Sequence, residues 1–86
     1  MKEYTMYILS GEKWTNDNCG EYTEFEDWYE TSKEAESLFD AYRDSDKYGH
    51  VRYCVLIKTT IINEYGDEWD RHEICGFSKI NGLEEW

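Results

Sequence analysis

The chain has 86 residues, 20 of them acidic and 9 basic, so its formal net charge at neutral pH is −11. Such a charge repels nucleic acids and anionic membranes and attracts basic partners. The length fits one domain over residues 1–86. Aromatic residues make up 17% of the chain, which argues against disorder despite the high charge. Three cysteines, an odd number, disfavour a disulfide framework and favour the cytoplasm, and we find no secretory signal or membrane span.

The first element in the chain is a strand at Tyr4–Leu9, because apolar and aromatic residues occupy both of its faces. A strand of this kind is expected in the interior of a sheet. Ser10 and Gly11 are predicted to end it. The polar composition of Glu12–Gly20 predicts a long loop, in which Trp14 either fills the edge of the core or contacts a partner.

A second strand is predicted at Glu21–Tyr29 and pairs with the first as a hairpin. One face carries Tyr22, Glu24 and Glu26, and the other carries Thr23, Phe25 and Asp27. The exposed acids of this strand would also discourage unwanted edge pairing.

A helix is predicted over Ser32–Arg43 because Thr31 and Glu34 have the spacing of a capping box. An apolar stripe at helical spacing follows, formed by Ala35, Leu38, Phe39 and Tyr42. This stripe should face the sheet, while acidic side chains occupy the outer face of the helix.

The longest apolar, β-branched run is Val51–Ile62, which predicts a long strand. The more apolar face carries Val51, Tyr53, Val55, Ile57 and Ile61, and we expect it to lie against the core. The other face is mixed and carries Arg52, Cys54, Leu56, Lys58, Thr60 and Ile62. Water is expected to reach this second face in part.

The last strand is predicted at Trp69–Phe77, after a turn at Asn63–Glu68. Its alternation places on one face Trp69, Arg71, Glu73, Cys75 and Phe77. A turn at Asn81–Gly82 and an acidic tail at Leu83–Trp86 follow. The chain therefore predicts an α+β domain of order β-β-α-β-β, with one helix packed on one face of a four-stranded antiparallel sheet.

No catalytic motif is present, so we expect a protein that is not an enzyme and has no catalytic residue, metal site or cofactor. The best constellation for chemistry is Cys54, His72 and Cys75, which lie on paired strands. It lacks the spacing of a zinc motif and the orienting group of a Cys-His catalytic pair, and buried thiols are the simpler explanation. A small metal-binding or ligand-binding domain built on these residues remains an alternative.

The positive signal is a surface on which acids alternate with aromatics. Residues 21–46 contain ten acidic and two basic side chains. Carboxylates along a strand and a helix could stand in for nucleic-acid phosphates, and aromatics would anchor a partner. A second patch of the same kind is formed by Glu64, Tyr65, Asp67, Glu68, Trp69 and Asp70. From the two patches, the candidate partner-binding residues are Glu24, Glu26, Asp27, Trp28, Glu30, Glu34, Glu36, Asp40, Tyr65, Asp67, Glu68 and Asp70. The alternative is a solvated acidic face that keeps a small protein soluble.

Short length, strong acidity, the absence of proline and a compact α+β pattern resemble small phage-encoded inhibitors, including anti-CRISPR proteins and other DNA mimics. The resemblance covers composition and layout, and no residue motif carries it. It implies stoichiometric blocking of a host defence complex at its nucleic-acid-binding surface. We therefore expect a basic nucleic-acid-binding host protein as partner, with no direct contact to nucleic acid or membrane.

The expected location is the host cytoplasm, and the expected state is a monomer or small homo-oligomer. An immunity protein or antitoxin that neutralises a cationic nuclease needs the same surface and is an alternative. A viral structural or assembly protein is another, for which self-association would be the sign.

Overall fold

The fold is described by a computed structural model for residues 3–14, 21–62 and 67–86, apart from the side chains of Asp67 and Trp69. It is an α+β fold in which one α-helix packs on a five-stranded antiparallel sheet. The elements in chain order are β1 Glu3–Trp14, β2 Tyr22–Tyr29, α1 Ser32–Asp44, a 3₁₀ turn Asp46–Tyr48, β3 Val51–Ile62, β4 Asp67–Ser78 and β5 Glu84–Glu85. Across the sheet the order is β2-β1-β3-β4-β5, so β2 lies at one edge.

Both predicted hairpins are confirmed, because β1 pairs with β2 and β3 pairs with β4 in antiparallel register. β3 has the predicted bounds, and α1 ends one residue later than expected. The capping hydroxyl of Thr31 accepts a hydrogen bond from the Glu34 amide at 3.2 Å and donates to the Glu34 carboxylate at 3.0 Å. The predicted turn at Asn63–Glu68 lies largely outside the described residues, but its last two residues belong to β4.

The prediction of four strands is wrong because the C-terminal segment joins the sheet. Glu84 and Glu85 pair with Ser78 and Phe77. Gly82 adopts a φ of 86°, a conformation that glycine permits without steric cost and that accompanies the reversal of the chain. The backbone of Trp86 continues the pairing through hydrogen bonds of 3.0 and 3.1 Å with Gly76.

β1 does not end at Ser10 and Gly11 but continues to Trp14. The glycine marks a close approach of two backbones, since an ideal Cβ on Gly11 would lie 1.9 Å from the Tyr53 carbonyl oxygen. The sequence pattern alone could not distinguish this use of glycine from a strand end. Glu12–Trp14 therefore belongs to the sheet and not to the predicted loop, whose remaining residues are outside the described ranges.

The predicted core face of β3 is wrong, since α1 packs on the side that carries Cys54 and Leu56. Val51 joins this helix-side cluster because the β1–β3 register shifts by one residue next to Glu12. The shift leaves Arg52 as an extra residue, and such a bulge reverses the alternation of side chains beyond it. Two register shifts in the β3–β4 pairing likewise reverse the alternation of side chains along β4.

One shift lies where the pairing passes from Leu56 with Cys75 to Ile57 with Glu73. Cys75 is packed in the helix-side cluster, whereas Glu73 lies opposite Ile57 on the other face. The prediction that Arg71, Glu73, Cys75 and Phe77 share a face is therefore wrong. The other shift lies between Thr60 and Ile61.

The main core lies between α1 and the sheet. It consists of Leu9, Ala35, Phe39, Tyr42, Val51, Cys54, Leu56 and Phe77. Phe39 and Phe77 make an edge-to-face contact with ring centroids 5.3 Å apart, a favoured aromatic geometry. The helix, with a length of about 20 Å, is half as long as a twelve-residue strand, so it covers part of the sheet.

A second, smaller cluster lies on the open face, by which we mean the side of the sheet opposite α1. Ile8, Val55 and Ile57 are buried there, and Tyr53 packs against them. Thr59 is fully buried and donates a 2.7 Å hydrogen bond to Glu68. Arg71 donates two hydrogen bonds to the Glu68 carboxylate and one to Glu26 of β2, so a charged network lies on this face.

Among the described residues, no helix has the length and apolar character required to cross a membrane.

Replacing Gly11 by alanine should destabilise the protein by about 2 kcal/mol or more, because the new methyl group overlaps the β3 backbone. Urea unfolding of the variant measures this loss. Gly49→Ala is the matched control, since its new Cβ would meet its nearest neighbour at an ordinary 3.4 Å. Equal stability of the two variants would contradict the close approach of β1 and β3.

Candidate functional site

The edge strand β2 is the most exposed long element of the sheet. Six of its eight residues are exposed, and Phe25 and Tyr29 alone turn inward to the helix-side core. Tyr22 and Trp28 are 54% and 40% exposed, although both are large aromatic side chains. Within the part of the chain that the structure describes, no strand pairs with the outer side of β2.

A cleft of about 380 Å³ opens beside this strand on the sheet surface. Its lining consists of Ser10, Gly11, Glu12, Glu24, Phe25, Glu26 and Tyr53. Glu12 lies directly opposite Glu24 in the β1–β2 register, and like charges in that position are destabilising. Burial, followed by the charges of Glu73 and Glu12, raises the pKa of Tyr53, as expected beside a negative cleft.

Several of the described basic side chains make internal contacts with residues that do not line this cleft. Arg43 forms ion pairs with Asp40, Asp44 and Glu85, which fixes the end of α1 to β5. The Arg43 guanidinium also holds the pKa of the Asp44 carboxyl below its usual value, chiefly through their hydrogen bonds.

Two further cations, Lys79 and Arg52, make internal contacts near the start of β3. Lys79 Nζ donates to the carbonyl oxygens of Tyr42 and Tyr48 at 2.6 and 3.3 Å, and burial lowers its pKa. The Arg52 guanidinium donates to the Lys79 carbonyl and stacks over the Trp14 ring at 5.6 Å. Trp14 therefore contributes to the internal packing at the end of the sheet.

The predicted acids of β2 stay largely free of cationic partners. Among the residues that the structure describes, Glu26 alone of this group pairs with an arginine, Arg71, at 3.3 Å. Among the described ion pairs, none involves Glu12, Glu24, Asp27 or Glu30. Negative charge thus accumulates along β2 and the cleft, where Glu26 is the one acid that pairs with an arginine among the described residues.

The predicted helix acids are brought to two different sides of α1. Glu34 lies beside the end of β2, since its carboxylate accepts a hydrogen bond from the Thr31 hydroxyl. Asp40 lies toward β5, because it pairs with Arg43, which also pairs with Glu85. Glu36 precedes Asp40 by one helical turn and therefore shares its side of the helix. The predicted surface is therefore not one continuous patch.

Two acids of the second predicted patch, Glu68 and Asp70, make contacts within the protein. Glu68 accepts hydrogen bonds from Arg71 and Thr59, which lower its pKa, and Asp70 lies 2.8 Å from His72 Nε2. Tyr65 lies outside the described residues, as does the side chain of Asp67. Of the two predicted patches, the β2 side presents the freer carboxylates.

The contribution of β1 to the site was not predicted from the sequence. Glu12 and Ser10 line the cleft, and Tyr22 and Tyr53 add exposed and half-buried aromatic surface. The signal was present, because Ser10 and Glu12 continue the alternation of the preceding strand. The assumption that Gly11 ends the strand hid it.

The alternative site at Cys54, His72 and Cys75 is spread across different environments. Cys54 is fully buried, and its burial raises the thiol pKa to about 12. The His72 side chain is 69% exposed and contacts Asp70. Among the residues that the structure describes, no three histidine, cysteine or acidic side chains converge in a metal-binding arrangement.

Replacing Arg71 by glutamine should reduce the dependence of stability on pH. In the folded protein Arg71 and Thr59 lower the pKa of Glu68 from its ordinary 4.5, so this stabilisation is present above that pH and is lost as the pH falls through the folded-state pKa. Urea unfolding at pH 7 and at pH 3 measures the difference. Lys33→Gln, which removes the same charge from an exposed helix position, should keep the wild-type dependence, and an equal reduction in both variants would contradict the assigned role.

Comparisons with protein-family models, curated proteins and solved structures gave no match for this chain.

Proposed function

We propose that the protein is a non-enzymatic inhibitor that binds a basic, nucleic-acid-binding host protein, such as a CRISPR effector or a defence nuclease. The observation that carries the proposal is the exposed β2 side of the sheet. Glu12 and Glu24 face each other across the cleft without a cationic partner among the described residues. A partner cation would relieve this repulsion, so binding and charge complementarity act together.

The same surface has the components of a protein interface. Tyr22 and Trp28 flank the carboxylates and are exposed, and large aromatic side chains supply much of the energy of protein association. Glu24 and Glu26 project from one face of a strand, where alternate residues repeat at about 6.7 Å. Such a row of fixed charges competes for a groove that binds phosphates, and it attracts basic partners over long range.

The proposed setting is the cytoplasm of the host cell. An immunity protein that neutralises a cationic nuclease would use the same surface. The identity of the captured partner separates the two functions: a defence complex supports inhibition, and a toxin nuclease supports immunity.

Reversing two charges on β2, Glu24→Lys with Glu26→Lys, should weaken partner binding by about tenfold or more, because like charges then face the basic groove. The experiment is affinity capture from host lysate at low and high salt, followed by titration of the purified partner. DNA or RNA added in excess should displace the protein.

The matched control is Glu3→Lys with Glu84→Lys, which makes the same change in charge at two exposed positions on other strands. The control should bind like the wild type, and both variants should keep the wild-type melting temperature within a few degrees. Binding that is indifferent to salt, or a partner without affinity for nucleic acid, would contradict the proposal.

A further inference from the structure

We infer that the outer edge of β2 binds an extended basic segment of the partner as an added antiparallel strand. This inference rests on the proposed function and specifies how the acidic surface would engage its partner. Two sets of backbone hydrogen bonds establish which groups of β2 point outward.

The first comes from the end of β1. The Trp14 amide donates to the His50 carbonyl at 2.8 Å, so it points away from β2. In an antiparallel pair, residues that bond each other alternate with residues that do not. Trp14 lies opposite Tyr22, and the β1–β2 register has no shifts. Because the Trp14 amide points away from β2, Trp14 and Tyr22 form a pair without mutual hydrogen bonds. The N–H and C=O groups of Tyr22 therefore point to the free edge.

The second set of hydrogen bonds lies at the other side of the sheet. It assigns outward-pointing N–H and C=O groups to the same alternate residues of β2. Gly76 exchanges both backbone hydrogen bonds with Trp86, so its N–H and C=O groups point away from β3. The N–H and C=O groups of Val55, which is opposite Gly76, therefore point away from β4 and toward Ser10 of β1. The N–H and C=O groups of Ser10 therefore point toward β3 and away from β2. Glu26, which lies opposite Ser10, directs its own N–H and C=O groups to the outer edge.

The outward-pointing backbone groups thus belong to Tyr22, Glu24, Glu26 and Trp28. These residues also carry the exposed aromatic and acidic side chains of the open face. An added antiparallel strand would form hydrogen-bonded pairs with them, at a Cα separation of about 5.5 Å. Lysine or arginine opposite Glu24 and Glu26 would meet both carboxylates while the main chains pair, which is the usual mode of strand addition.

A second copy of this chain is a poor occupant for the edge. Antiparallel self-pairing centred on Phe25 would place Glu24 of one copy opposite Glu26 of the other, twice. Like charges directly opposite each other destabilise strand pairs, and acids on an edge strand are a known protection against such association. A basic strand reverses the sign of the same interactions.

The test uses a nine-residue peptide of alternating lysine and threonine and two N-methylated versions of it. In antiparallel pairing with lysines opposite Glu24 and Glu26, the lysine amides bond to β2 and the threonine amides point away. N-methylation of the lysines should weaken binding about tenfold or more, while N-methylation of the threonines should leave it unchanged. Fluorescence titration at low salt measures all three affinities.

Amide hydrogen exchange on the protein supplies an independent readout. The peptide should slow exchange at Tyr22, Glu24, Glu26 and Trp28, with little change at Phe25, whose amide already bonds to β1. Equal affinity of the three peptides, or stronger loss from threonine methylation, would overturn the added strand and leave the proposed charge-based binding intact. If the unmethylated peptide did not bind at all, both proposals would be overturned.

Discussion

The pairing of β1 with β3 is the interaction on which the rest of the molecule depends. The two strands pair along nearly their whole length, from Glu3 opposite Ile62 to Lys13 opposite Val51. This pairing places both hairpins in one sheet and leaves β2 at the edge. Because the chain supplies glycine at position 11, the backbones approach closely enough to keep the ladder continuous past the point of contact.

The distribution of charge follows from this arrangement. Arg43 and Arg71 bridge elements that are distant in sequence, since they join α1 to β5 and β4 to β2. Their ion pairs neutralise carboxylates at the end of the helix and along β4, and one of these, Glu68, belongs to the second predicted patch. The exposed pairs contribute little stability by themselves, so their main effect is to determine where negative charge stays unneutralised. That charge accumulates at β2 and around the cleft beside it.

The proposed binding depends on the combination of an exposed strand edge with negative charge. An exposed strand edge is normally a liability, and acids along it limit association with most chains. The same acids make the edge selective, because a basic segment gains both main-chain hydrogen bonds and charge pairing. Repulsion between Glu12 and Glu24, which lie opposite each other at the cleft, destabilises the free protein. A cation of the partner placed beside them would relieve this repulsion.

Local sequence patterns were sufficient to predict the helix, its Thr31 cap, the bounds of β3 and both hairpins. These features depend on interactions between near neighbours, such as capping, helical spacing and alternation, which a single sequence records. The acidic, aromatic character of residues 21–46 was equally visible, because composition requires no knowledge of contacts.

Tertiary contacts decided which side of each strand faces the helix and which acids form one surface. The extra residue at Arg52 reverses the alternation of β3, and a similar shift separates Glu73 from Cys75. A bulge arises from the match between two strands, so neither strand encodes it alone. For the same reason the sequence could not show that Glu12 lies opposite Glu24, or that β2 is an edge: both are properties of a register that long-range pairing fixes.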